Sequence, residues 1–114
     1  MPLRLRILRT EAEQARGVIG RDVLESDEVY FFESVGDAGW FHMFGVPFDL
    51  DLAYLDADFR ILVLARLRAQ VDYRRTPAGT VHVAEMAAGY AARHGLAAGE
   101  MWEELRDLFR KNPG

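Results

Sequence analysis

The chain contains no cysteine and only two serines, Ser26 and Ser34. Without thiols there is no disulfide framework, no thiolate zinc site, no cysteine nucleophile and no redox switch. Neither serine sits in a Gly-x-Ser-x-Gly turn, and no phosphate-cradling glycine loop is present, so acyl-enzyme hydrolysis is not expected. Long apolar runs are also missing. The longest, Ile61 to Ala65, falls far short of the roughly 20 residues that a membrane-spanning helix requires. The opening MPLRLRILRT interleaves arginines with its apolar residues and lacks the apolar centre of a secretory signal. No membrane association is expected, and the cytoplasm is the default compartment.

What is present suits one soluble domain spanning 1–114. Half of the residues are hydrophobic and 28% are charged, with 14 basic against 18 acidic side chains and a net charge of −4. Surface scaling gives roughly 6,300 Å² exposed when folded against about 19,000 Å² when extended, enough burial for one core. The acidic balance speaks against nucleic acid, which needs a basic face. The exception is 60–75, where Arg60, Arg66, Arg68, Arg74 and Arg75 face a single Asp72. That stretch is a possible counterpart for the acidic residues between Asp22 and Asp37, within one chain or across a dimer.

Periodicity sketches the elements. Leu3, Leu5 and Ile7 alternate with Arg4 and Arg6, predicting a strand over 3–9. Thr10 and Glu13 have the spacing of a capping box, so a helix is expected over about 11–18, ending near Gly20. Val29 to Phe32, Trp40 to Phe44, Leu50 to Leu55, Arg60 to Ala65 and Thr80 to Glu85 read as strands, the third and fourth buried on both faces. Ala87 to His94 has helical composition closed by Gly95. In 100–111, Met101, Trp102, Leu105, Leu108 and Phe109 form one apolar stripe, with glutamates opening the helix and basic residues closing it.

Three segments, in order, resemble a bacterial family known as domain of unknown function 192. The run from His42 to Asp56 is similar to its HTFGMRFPLDVAFLD signature, matching at His42, Phe44, Gly45, Phe48, Leu50, Asp51, Ala53, Leu55 and Asp56. Arg9 to Gly17 with Gly20 and Arg21 resembles the family's RTxAExxxGLxGR opening. Ala84 to Gly89 and Gly95 to Gly99 resemble its LELPAG and GLxxGD elements. Met43, Val46, Asp49 and Glu100 depart from the pattern, and Phe59 replaces a turn glycine. Since phenylalanine at positive φ is strained, this hairpin is expected to use another turn type. The resemblance covers 3–100 and implies an α+β, mainly β architecture. That is a compact β-sandwich or barrel with a short N-terminal helix and another near 87–94. The helix over 101–111 is an extension, and no activity is implied.

Asp51 lies among aliphatic neighbours in its strand, where an uncompensated carboxylate would cost several kcal/mol. It therefore needs a partner, and is either the best general acid or base or a structural acid bonded to loop N–H groups. Glu85 precedes the helix expected from Ala87 and could accept its N-terminal N–H groups. The alternative gathers Asp51, Glu85 and His42 into one proton-transfer pocket. His42 lies in an aromatic strand, where a core imidazole is the ordinary outcome. Trp40, Phe44 and Phe48 would line the same pocket. Neither His82 nor His94 is expected to be a ligand, and no cofactor or metal is expected, because the acids Asp49, Asp51, Asp56 and Asp58 make no ligand motif.

Three readings follow. The first is a non-enzymatic binding or interaction module with a pocket around 40–51, for a small ligand or a protein. The second is a small enzyme using Asp51, Glu85 and His42. The third is a homodimer that buries the C-terminal stripe.

Overall fold

A computed structural model describes residues 3–113. Its exposed area, 6375 Å², is close to the value expected for one compact core of this mass.

A five-stranded sheet runs in the order β1-β2-β7-β4-β5. It is built from β1 (Arg4–Leu8), β2 (Glu28–Phe32), β4 (Leu50–Leu55), β5 (Ile61–Leu67) and β7 (His82–Ala87). Strands β1 and β2 are parallel and the other pairs antiparallel. A separate ribbon pairs β3 (Trp40–His42) with β6 (Tyr73–Arg75). Helices are α1 (Glu11–Arg16), α2 (Tyr90–Arg93) and α3 (Glu103–Arg110). The mainly β, α+β expectation holds, with two sheets that do not close into a barrel.

The large sheet divides the core in two. Alternate residues of β2, β4 and β7 (Val29, Phe31, Ala53, Leu55, Ala84 and Met86) pack beneath Tyr90, Trp102 and Leu105 of the helical side. Their neighbours Tyr30, Phe32, Leu50, Leu52, Tyr54 and Val83 pack on Val18, Met43 and Val46, under the α1 end and the ribbon. Strand β4 is buried on both faces as its composition predicts. Strand β5 is not: it is an edge strand, half-buried along most of its length.

Several boundaries differ from expectation. The Thr10–Glu13 capping box forms, with the Glu13 N–H donating to Thr10 Oγ1 at 3.1 Å and the Thr10 N–H donating to Glu13 Oε1 at 2.9 Å. The helix stops at Arg16, however, because Gly17 (φ 49°) turns the chain before Gly20 does. A Cβ on Gly17 would lie 3.1 Å from the Phe32 ring, so only glycine brings the α1 end this close to the sheet. The alanine-rich segment after Val83 is strand to Ala87, held between β2 and β4, and α2 begins only after Gly89.

Phe59 does take positive φ, at 65°, against the expectation of another turn. The turn is fastened by Asp56, whose Oδ1 accepts the N–H groups of Asp58 and Arg60 at 2.9 and 3.0 Å. The ring stacks on Phe31 at 5.5 Å between centroids and lies 5.1 Å from His82. A left-handed residue costs roughly 1–2 kcal/mol, while burying a phenylalanine gains roughly 1.5–3 kcal/mol, so packing holds the strained backbone.

Within the chain, no ion pair among the described residues joins the acidic stretch to 60–75. Asp27, Glu28 and Glu33 bond to Arg4, Arg21 and Arg9, all from the N-terminal part of the chain. Arg66 and Arg68 pair instead with Asp51 and Asp72.

Candidate functional site

The two candidate carboxylates lie on opposite faces of the large sheet. Asp51 shares its face with Ala53 and Leu55, towards the helical layer; Glu85 shares its face with Val83, towards α1 and the ribbon. Period-two alternation makes this unavoidable, since Glu85 is paired with Leu52 and so lies out of phase with Asp51. The three-group constellation with His42 therefore does not form.

Asp51 is buried and fully engaged. Its Oδ1 accepts from Arg66 Nε at 2.6 Å, and its Oδ2 accepts the N–H groups of Gly89 and Ala91 at 3.1 and 3.0 Å. It, rather than Glu85, fastens the entry of α2. The remaining acids of that region serve loops: Asp49 accepts the Ala69 N–H at 2.8 Å. Among the described residues no group of three or more His, Asp or Glu side chains could hold a metal ion, and no helix is long and apolar enough to cross a membrane.

Glu85 is equally withdrawn from water, at 5% exposure, but none of the hydrogen bonds among the described residues reaches its carboxyl group. Burial alone pushes its pKa up to about 8. Its carboxyl is therefore mostly protonated at neutral pH, a neutral group offering one O–H donor and one acceptor. Nearby on the same face, the Tyr54 hydroxyl is buried without a partner. Burial raises the Tyr54 pKa to about 12, against an opposing pull from Arg74 and with a lesser push from the charge of Glu85.

Glu85 forms part of the wall of a cavity of about 250 Å³. The cavity is bounded by the α1 end at 14–19, by Phe32 of β2, and by Trp40, Phe41 and His42 of β3, with Thr76 beyond β6. His42 is exposed rather than buried in the core, and faces this cavity. Trp40 is 57% exposed, and its ring lies 5.4 Å from that of Tyr73. Phe41 meets Phe32 and Tyr54 edge-on, at 5.1 and 6.1 Å.

Of the six residues singled out from sequence, Trp40, His42 and Glu85 thus share one cavity. Phe44 projects into solvent at 78% exposure, because Met43–Val46 is a turn beyond the end of β3 rather than more strand. Phe48 packs beside Val23 and Leu24, away from this cavity. Sequence reasoning missed the contribution of 14–19 and Thr76. The Gly17 that ends α1 was its available signal.

The histidine buried in the core is His82, which stacks on Phe31 and Phe59. Its Nδ1 accepts the Ser34 N–H at 2.9 Å, and burial holds its pKa below the ordinary value.

A family model for DUF192, an uncharacterized ACR, matches residues 1–103, and the chain belongs to that family. It is similar, at 33% identity and a TM-score of 0.71, to a protein of unknown function from Novosphingobium aromaticivorans DSM 12444, over 85% of this chain and 71% of that one. A candidate transcription regulator from Sinorhizobium meliloti 1021 shares the fold, with a TM-score of 0.73 and 19% identity over 85% and 78% of the two chains. No curated protein matches the chain.

Proposed function

We propose that the chain is a small-molecule binding module whose ligand enters the cavity between α1 and the ribbon and hydrogen-bonds to Glu85. The observation that carries this reading is a carboxyl group on a residue only 5% exposed that borders the cavity and takes part in none of the hydrogen bonds among the described residues. Leaving a buried polar group unpaired costs on the order of 1–3 kcal/mol, a cost that a ligand atom would remove. Apolar walls with a few polar groups are the usual make-up of such sites.

A proton-transfer enzyme is the second reading, favoured by the elevated pKa of Glu85 and by His42 bordering the same cavity. Asp51 has no part in it.

The test is a fragment screen on the full chain, followed by amide NMR. Ligands should shift resonances of 14–19, Trp40, His42 and Glu85 together, and leave those around Asp51 and Gly89 unmoved. Hits that cluster elsewhere, or none, would overturn the reading.

A further inference from the structure

We infer that the ligand class of this cavity is an organic ammonium ion carrying an aromatic or other apolar body, its cationic group against Glu85 and its body on the side of the cavity bounded by Phe32, Phe41 and Trp40. This rests on the binding reading above and adds the charge of the ligand.

Three observations support it. First, among the described residues no arginine or lysine bonds to Glu85. On the α1 side, Arg16 borders the cavity, with its Nη2 over Gly20, 3.4 Å from where a Cβ on that glycine would stand. Arg21 is spent on Glu28 and on the Tyr30 hydroxyl. On β3 there is the exposed His42, on β4 there is Tyr54, and from β6 the charge of Arg74 reaches Tyr54. Burial raises the pKa of the Glu85 carboxyl. Second, Phe32, Trp40 and Phe41 form part of the wall, and the faces of tryptophan and phenylalanine attract cations as well as apolar groups. Third, the unpartnered Tyr54 hydroxyl lies on the same sheet face as Glu85 and feels its charge.

The charge balance fixes the behaviour. An ammonium ion entering against the protonated carboxyl displaces its proton to solvent, giving a carboxylate–ammonium pair and one H⁺. Ligand affinity must then rise as pH rises towards 8. A neutral amide would instead use the protonated carboxyl as donor and acceptor and would weaken over the same range.

The experiment titrates wild type and Glu85→Gln with 2-phenylethylamine, 2-phenylethanol, phenylacetamide and phenylacetate, by NMR and calorimetry. For the amine, wild type should gain about tenfold in affinity per pH unit from pH 6 towards 8. It should release about one proton per ligand at pH 6.5, read from buffers of different ionisation enthalpy, and Glu85→Gln should lose amine binding. The proton count needs no variant, so it stands even if Glu85→Gln folds poorly. If phenylacetamide or phenylethanol binds the cavity and the amine does not, or if amine affinity is flat with pH, the ammonium assignment fails while the binding reading stands. If none of the four shifts the cavity resonances, the ammonium assignment fails; the binding reading falls only if the wider fragment screen also gives no hit in the cavity.

Discussion

Asp51 and Glu85 are equally buried, at 5% exposure each, yet one is saturated with donors and the other has none. The difference predicts opposite mutational outcomes. Asp51→Ala strands the Gly89 and Ala91 N–H groups and frees Arg66, so it should destabilise the protein by about 2–4 kcal/mol and leave ligand binding in the cavity unchanged once folded. Denaturant unfolding checks the first outcome, and a loss below about 0.5 kcal/mol would contradict it. Glu85 works the other way. In the unfolded chain it ionises near its ordinary 4.5, whereas the folded protein keeps it protonated to about 8. Its contribution is therefore fully present below pH 4.5 and is lost as pH rises to about 8. At about 1.4 kcal/mol per pH unit, the loss between pH 5 and pH 8 is of the order of 4 kcal/mol. Glu85→Gln should remove that slope and melt above wild type at pH 8. A buried acid among aliphatic residues was legible at Asp51 from its neighbours. Which acid lacked donors was not, because that depends on Gly89 and Ala91 arriving from another element.

At the scale of elements, α3 turns its stripe inward. Trp102 and Leu105 are buried, and the Phe109 ring lies 5.1 Å from Phe31. A homodimer through this helix would have to use its polar side. Leu105→Ala should cost about 2–5 kcal/mol without changing the oligomeric state, measured by thermal unfolding and sedimentation. The stripe, the capping box and the two-faced burial of β4 were all readable, since each is local periodicity or spacing. Strand β6 was not: Tyr73–Arg75 is exposed throughout and shows no alternation, so its pairing with β3 decides it. The start of the helix expected from Ala87 was misjudged because alanine favours helices, while the pairing of Ala87 with Leu50 of β4 overrode that preference and α2 begins only at Tyr90. Phe59 likewise departs from its local preference because the aromatic core holds it.

At the scale of the whole molecule, the cavity exists because the order β1-β2-β7-β4-β5 sets β7 in the middle of the sheet and aims Glu85 at the layer formed by α1 and the ribbon. Its walls come from segments far apart in the chain, so His42 and Glu85 could be proposed as neighbours only as one arrangement among several. Phe44, in the same family-like run as His42, ends in solvent because β3 stops after His42.

Ligand choice in the cavity depends on the protonation state of Glu85. A ¹³C NMR titration of the Glu85 carboxyl, assigned by its disappearance in Glu85→Gln, measures it directly. The structure predicts a midpoint near 8 in the ligand-free protein; a midpoint near the ordinary 4.5 would show the carboxyl to be solvated or paired, and would contradict the site.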